Sequence, residues 1–321
     1  MTTTRTPPTG PFTYSSIAAL GISRHQLRRW VKEGKVRRVL RNVYVAADAD
    51  VEHDLELRCR AVDLVTPADH VVRDRTAAWL HGIDTLTYGE LEVAPDVETC
   101  ALRGHEPSAR EGVDGRTRDL VASDITVLFD VRVTTPLRTA LDLSCLLLRR
   151  DALAALDAFC RVHGITRRQL EVGLRRYRRR RGVVQARELV ALVDPRAESA
   201  RESWTRLQIH DAGLPPPELQ WWTHIDGVPT YRLDLAYPKH RIAVEYDGWD
   251  AHERNPEQRA NDKSRRAWLR ANGWTIIVIR MGDFTGEALD RWIGELRRAL
   301  RPSYSNVRRM ERGSRALALT Q

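Results

Sequence analysis

Apolar and polar residues near the N-terminus alternate with a helical period. Residues 13–20 are compatible with a short helix, and Gly21 provides the flexible backbone of a turn. Ser23 fits the N-cap of a second helix, with Gln26 completing a capping box three residues later. Spacings of three and four residues predict one apolar stripe on this helix, formed by Leu27, Trp30 and Val31. The pattern predicts two short helices, the second with one face turned toward a core.

Two short strands are predicted directly after these helices. Gly34 ends the second helix, and residues 36–39 and 42–45 form a hairpin around residues 40–42. Together these elements predict a helix-turn-helix with a wing, which we assign to residues 12–50. The alternative is a small basic helical domain, or one that binds a protein.

In a winged helix the second helix enters the DNA major groove, and flanking basic residues contact phosphates. The predicted DNA-binding residues lie on the second helix and around the hairpin: Arg24, His25, Arg28, Arg29, Lys32, Lys35, Arg37, Arg38 and Arg41.

The middle of the chain, residues 51–195, is predicted to be a mixed, mostly helical domain. Helical apolar spacing covers residues 51–65, 76–81, 136–148, 151–163 and 166–177, whereas residues 91–94 and 125–133 are candidate strands. A dense basic run at residues 175–181 fits a solvated helix end or a phosphate contact equally well. No chemistry is predicted here, and the region is expected to connect the two ends of the chain, with contact to a partner protein as a further role.

From residue 196 the pattern changes to a helix, two strands, a helix, a strand and a last helix. It predicts a small α/β domain that ends near residue 301. Two neighbouring strands alternate around a Pro-Lys-His turn, and if they pair, Asp234 lies near Glu245 or Asp247 on a common face. A polar sheet face turned to solvent is the alternative for these three acids.

Carboxylates that converge in this way repel one another unless a cation neutralises them. A hard divalent ion, Mg2+ or Mn2+, is therefore the predicted cofactor, because such ions prefer oxygen ligands. It would activate water and stabilise charge on a phosphoryl oxygen, as phosphodiester hydrolysis requires. Further candidates are Glu202 as another ligand, His252 as a proton carrier and Lys263 as the cation that polarises the phosphate. For Glu202 a plain surface role is the alternative, and His252 is as easily structural.

Composition supports a nucleic-acid partner. The 321 residues include 52 Lys and Arg against 43 Asp and Glu, and the formal net charge is +9. Arginine excess also follows from a GC-rich genome, but residues 1–50 hold nine Lys or Arg against three Asp or Glu, so the excess is local. The four cysteines are widely spaced, and no signal segment or long apolar run is visible, which predicts a cytoplasmic protein without a membrane partner. Residues 1–11 and 302–321 are expected to be loose tails.

The N-terminal pattern also resembles a known family. The segment GISRHQLRRWVKEGKVRRVLRNVYV is similar to the N-terminal winged helix of AbiEi-type antitoxins. The resemblance implies DNA binding and autoregulation beside a toxin gene.

A second resemblance covers roughly residues 197–300. The segment LDLAYPKHRIAVEYDGWDAH, followed by NDKSRRAWLRANGWTIIVIR, resembles the nuclease-like domain related to very-short-patch repair endonucleases, within the PD-(D/E)XK superfamily. The resemblance implies metal-dependent DNA cleavage, with Asp234 and Glu245 matching the two acids of the motif. The chain departs from the superfamily at Asp247, where lysine is usual.

Three functions follow as hypotheses. The first is a metal-dependent DNA endonuclease directed by the winged helix, in phage defence or a toxin–antitoxin system. The second is an AbiEi-like antitoxin and transcriptional repressor whose nuclease-like domain does not cut, and the third is RNA processing. Double-stranded DNA is the expected partner of the first two, with a cognate toxin or another protein as a further candidate.

Overall fold

The computed structural model describes residues 6–85, 94–248 and 256–301, without the side chains of residues 256, 258 and 259. The protein is a mixed α+β chain that divides into two compact units, Met1–Val193 and Asp194–Gln321. Each unit is described by itself. Within the described ranges, no helix has both the length and the apolar character needed to cross a bilayer.

The first unit begins with a helix and a small antiparallel sheet. Helix α1 (Arg24–Lys32) is followed by strands β2 (Val36–Leu40) and β3 (Val43–Ala46), and β3 also pairs with β1 (Phe12–Thr13). Ser23 caps α1, since its side chain accepts a hydrogen bond from the Gln26 amide at 3.1 Å. The predicted cap and hairpin are therefore present, with strand ends within about one residue of the prediction.

The helix expected over residues 13–20 is wrong, because the segment starts with the last residue of β1 and continues as a series of turns. The Thr13 amide donates to the Ser16 hydroxyl at 3.0 Å, and the Ser16 amide donates to the Thr13 hydroxyl at 3.2 Å. Such side-chain bonds compete with helical backbone hydrogen bonds. The apolar stripe of α1 is also displaced, since Leu27 and Trp30 are buried but Val31 is 45% exposed.

Over its described residues, the rest of the first unit combines a five-stranded sheet with six α-helices. The strands are β4 (Val71–Val72), β5 (Val97–Leu102), β6 (Val113–Arg118), β7 (Ile125–Leu128) and β8 (Val131–Thr134), in the order β6-β5-β4-β8-β7. The helices are α2 (Leu55–Asp63), α3 (Asp74–Leu80), α4 (Pro136–Leu146), α5 (Arg149–His163), α6 (Arg167–Gly173) and α7 (Val183–Leu192).

Helices α2 to α6 overlap the predicted helical segments, whereas α7 and most of the sheet were missed. Residues 125–133 were expected to form one strand but form the β7–β8 hairpin, which turns at Phe129 and Asp130 with φ of 42° and 68°. Of the candidate strand at residues 91–94, residues 91–93 lie outside the described residues.

The first fifty residues share a core with the elements that follow. Leu40 and Val43 of the hairpin pack in one buried cluster with Val62 of α2 and Leu80 of α3. A separate domain ending at residue 50 therefore stays a prediction.

The described part of the second unit is a four-stranded sheet with three α-helices. Helix α8 (Ala200–Asp211) precedes β9 (Glu218–Ile225), β10 (Val228–Tyr237) and β11 (Ile242–Tyr246), and α9 (Pro256–Ala271), β12 (Thr275–Ile279) and α10 (Gly286–Leu300) follow. The order is β12-β11-β10-β9, with β11 and β12 parallel and the other pairs antiparallel. Two strands were expected before α9, and three are present. Strand β9 was not predicted because it lacks a regular alternation of apolar and polar residues.

Candidate functional site

The predicted DNA-binding residues form an exposed basic surface on α1 and the β2–β3 hairpin. All nine are exposed. In the described part of the chain, Arg28 and Lys32 form no hydrogen bond or ion pair, so both charges are free to meet an anion. Arg29 lies 3.7 Å from Glu33, its partner one helical turn away.

The hairpin holds its own cations in fixed positions. Arg38 donates to the Tyr44 hydroxyl at 3.0 Å and lies over the Tyr44 ring, 5.3 Å from its centre. Arg37 donates to the carbonyl of Ala49 at 2.9 Å. Arg41, at the turn, is 3.5 Å from Asp96 and 3.8 Å from Glu111, so its charge is partly balanced.

One acid interrupts this basic surface. Glu33 lies 2.9 Å from Lys35, and that hydrogen bond lowers the pKa of Glu33 from its ordinary value. Glu33 is therefore ionised, and it offsets part of the charge of Lys35 and Arg29.

A second cluster of charged residues lies on the sheet of the second unit. Leu235 and Ala236 of β10 pair with Val244 and Ala243 of β11. The same register places Asp234 opposite Glu245, and residues opposite each other point to the same face. The pKa of Asp234 is raised to about 6, first by burial and then by the charges of Glu202 and Glu245. The acids from two strands and one helix therefore interact.

Two arginines of α9 contact the acids of β11 and the residue after it, Glu245 and Asp247. Arg265 donates to Glu245 through Nη1 at 3.1 Å and through Nη2 at 2.5 Å, and Glu245 is buried. Arg266 donates to Asp247 at 3.4 Å. Sequence reasoning did not single out these arginines, although both belong to the helix that it predicted.

The other predicted residues are placed differently. The Glu202 carboxylate accepts from the Glu198 amide at 2.9 Å, the Ser199 hydroxyl at 2.9 Å and the Gln220 amide group at 2.8 Å. Lys263, the predicted phosphate-polarising cation, is exposed on α9. His252 lies outside the described residues, so its role as a proton carrier stays a prediction.

The acidic cluster fits a divalent ion only in part. Carboxylate oxygens are the ligands that Mg2+ and Mn2+ prefer. Asp234 forms no hydrogen bond or ion pair with the residues that the structure describes. Among those residues, however, no three His, Cys, Asp or Glu side chains are arranged to hold a metal ion. An ion bound by Asp234 and Glu245 would have to displace Arg265, and the metal site stays a prediction.

Comparison with known proteins finds two family models that match segments of the first unit. Residues 9–47 match the model for a transcriptional regulator, AbiEi antitoxin, and residues 70–192 match the model for the AbiEi antitoxin C-terminal domain. The chain is also 36% identical over 268 residues to uncharacterized protein Rv2248 of Mycobacterium tuberculosis (strain ATCC 25618 / H37Rv), covering 83% of this chain and 93% of the relative. Uncharacterized protein MT2308 of the CDC 1551 / Oshkosh strain matches with the same identity and coverage. This chain belongs to their family. Its first unit carries two AbiEi antitoxin domains.

The C-terminal AbiEi antitoxin domain contains a buried network of arginines and aspartates. The Asp142 carboxylate accepts from Arg138 at 2.9 Å, Arg180 at 2.8 Å and the Tyr177 hydroxyl at 2.6 Å. It also accepts from Arg118 at 2.5 Å. Burial alone would raise the pKa of Asp142, but Arg118 and Arg138 outweigh burial and hold that pKa below its ordinary value.

This network explains part of the basic run at residues 175–181. Arg176 donates to both oxygens of Asp124, at 2.7 and 2.8 Å, and Arg180 reaches Asp142. The remaining arginines of the run, Arg175, Arg178, Arg179 and Arg181, are exposed. Two arginines of this segment, Arg176 and Arg180, thus bind buried aspartates, and the others lie at the surface.

Proposed function

We propose that the protein is a DNA-binding transcriptional regulator of the AbiEi antitoxin type. The observation that carries this proposal is the exposed basic face of α1, where Arg28 and Lys32 have no acidic partner within the described residues. The same helix lies in the segment that matches the AbiEi transcriptional regulator model.

The local architecture supports a winged helix. Helix α1, fixed at its start by the Ser23 cap, is the reading helix, and the β2–β3 hairpin is the wing. Exposed arginines on one helix and one hairpin can contact phosphates on both sides of a groove. A cognate toxin or another protein is a further partner in this proposal, as the antitoxin domains suggest.

The experiment is a footprint on the DNA upstream of the protein's own gene. We expect a discrete protected site that needs a much higher protein concentration in the Arg28→Gln and Lys32→Gln variants, since each loses a phosphate contact. Arg60→Gln, which changes an exposed arginine of α2, is the matched control and leaves the footprint unchanged. Uniform coverage of every duplex at one concentration would argue against a sequence-reading regulator.

A second function, DNA hydrolysis in the second unit, is favoured by one observation. Asp234 and Glu245 face each other on adjacent strands, and the raised pKa of Asp234 indicates excess negative charge in a partly buried place. The order of helices and strands in this unit supports a PD-(D/E)XK-like fold. In this proposal Asp234 and Glu245 would hold Mg2+ or Mn2+, with Glu202 and Asp247 as further ligands, and the ion would supply an activated water.

Plasmid cleavage tests the hydrolytic function. If it is present, the parent nicks supercoiled DNA with Mg2+ or Mn2+, and both Asp234→Ala and Glu245→Ala abolish nicking. Lys263→Ala changes an exposed residue of α9. It should lower the nicking rate if Lys263 polarises the phosphate, and leave the rate unchanged if Lys263 is only a surface residue. If the parent protein binds its promoter but does not nick the plasmid with either ion, the hydrolytic function is excluded and transcriptional regulation is the function.

A further inference from the structure

The first unit contains a groove of about 1710 Å3 beside α1. We name it the α1–α3 groove, since Arg28 and Lys32 of α1 line it together with Arg75 and Trp79 of α3. It exceeds the roughly 300–1,000 Å3 of ordinary small-molecule pockets. A ligand with several functional groups therefore fits inside it.

Arg58 of α2 lines this groove without a direct ion pair to a described carboxylate. The residue is only 8% exposed. Its Nη1 donates to the Trp79 carbonyl at 2.9 Å, its guanidinium centre lies 5.8 Å from the centre of the Trp79 ring, and its Nε has no hydrogen-bond acceptor among the described residues. The charge of Asp54 acts on Arg58 from a distance, but no described carboxylate lies within ion-pair distance of it. A buried cation without a directly paired counter-ion is costly, so this position favours an anionic ligand.

The acids of the groove are mostly engaged elsewhere. Asp96 meets Arg41 at 3.5 Å, and Asp114 meets Arg73 at 3.1 Å. Glu98 accepts from the amides of Arg75 and Thr76. Glu52 and Asp84 complete the five acids of the lining. The lining carries six cations against these five acids, so positive charge prevails: Arg28, Lys32, Arg37, Arg38, Arg58 and Arg75.

We propose that the α1–α3 groove binds the phosphate groups of a free nucleotide. Arginine suits this role because its guanidinium donates two parallel hydrogen bonds to phosphate oxygens. The half-buried Trp79 ring offers an apolar surface on which a base can stack. A duplex backbone fits less well, because Arg58 is buried whereas Arg28 and Lys32 are at the surface. The nucleotide would then use Arg28 and Lys32 as well, and it would compete with DNA for them.

Nucleotide binding goes beyond the proposed regulation of a gene, and its first test uses nucleotide probes without DNA. Calorimetric titration of the full chain with ATP and with pyrophosphate, at low salt and without metal, measures the affinity. We expect both probes to bind, ATP more tightly because of its base. Arg58→Met should weaken binding by roughly tenfold or more, the effect of losing a charge-assisted hydrogen bond.

Two further variants keep the test decisive. Lys32→Met changes an exposed residue, so it remains informative if Arg58→Met fails to fold, and it should also weaken both probes. Arg60→Met, on the same helix as Arg58 but absent from the groove lining, should bind like the parent. Failure of both probes to bind the parent, or equal affinities in the parent, Arg58→Met and Lys32→Met, would overturn the inference. A loss of duplex binding alone in Arg58→Met would also overturn it, and would assign Arg58 to DNA.

Discussion

Arg265 donates two hydrogen bonds to the buried carboxylate of Glu245, at 3.1 and 2.5 Å. The pair joins α9 to β11, and the same arginine also donates to the carbonyl of Arg232 on β10 at 3.1 Å. A guanidinium therefore balances an acid for which the sequence pattern suggested a divalent ion. Arg265 therefore stabilises the fold of the second unit by joining α9 to two strands of the sheet.

Removing Arg265 should destabilise the fold. Arg265→Leu leaves the buried Glu245 near Asp234 with only the longer ion pair to Arg266 at 3.9 Å. Breaking a buried pair from one side costs about 3–5 kcal/mol. Urea unfolding monitored by tryptophan fluorescence measures the change. Lys263→Leu, an exposed position on the same helix, is the control and should stay within about 0.5 kcal/mol of the parent. Equal loss in both variants would show that the Arg265–Glu245 pair contributes nothing specific.

Asp234 predicts a definite pH dependence. Its pKa is raised to about 6 from 3.8, with burial as the first cause and Glu202 and Glu245 next. The folded state therefore holds a proton more tightly than the unfolded chain, so stability decreases as pH rises between these values. Asp234→Asn, measured with EDTA present, should be more stable than the parent above the raised pKa. The difference should vanish as pH falls below 3.8, and a constant difference at every pH would contradict the assigned cause.

The Asp142 network predicts graded losses in the first unit. Tyr177→Phe removes one hydrogen bond to a carboxylate and should cost about 1–3 kcal/mol. Asp142→Ala removes the acceptor of three arginines and should cost more, about 3–5 kcal/mol. Thermal or urea unfolding gives both values, with the exposed Arg178→Ala as the near-neutral control. Arg178→Ala as harmful as Asp142→Ala would disprove the specific role of the arginines that bind Asp142.

Local patterns predicted several elements well. The Ser23 cap, the hairpin after α1 and the strands flanking residues 238–240 depend on residues close in sequence, and all are present. The register of β10 and β11 follows from a short turn, so the juxtaposition of Asp234 and Glu245 could be predicted.

Features that depend on distant contacts could not be predicted. Strand β6 carries the sequence VDGRTR, which has no apolar alternation, and it forms only because it pairs with β5. Residues 13–20 have helical spacing, but the exchange of hydrogen bonds between Thr13 and Ser16 favours turns. On α9 the rotation of the helix decides which cation faces the sheet. It turns Arg265 inward and leaves Lys263 exposed, which composition alone does not reveal.

The central claim is that the α1 surface binds DNA phosphates. Fluorescence anisotropy of a labelled promoter duplex, repeated over a series of salt concentrations, tests it most directly. Each neutralised phosphate contributes about 0.9 to the slope of log affinity against log salt. If Arg28 and Lys32 each contact a phosphate, the double variant Arg28→Gln, Lys32→Gln should lower the magnitude of this salt slope by roughly two units relative to the parent. A parent that does not bind the duplex, or a double variant with the parental slope, would contradict it.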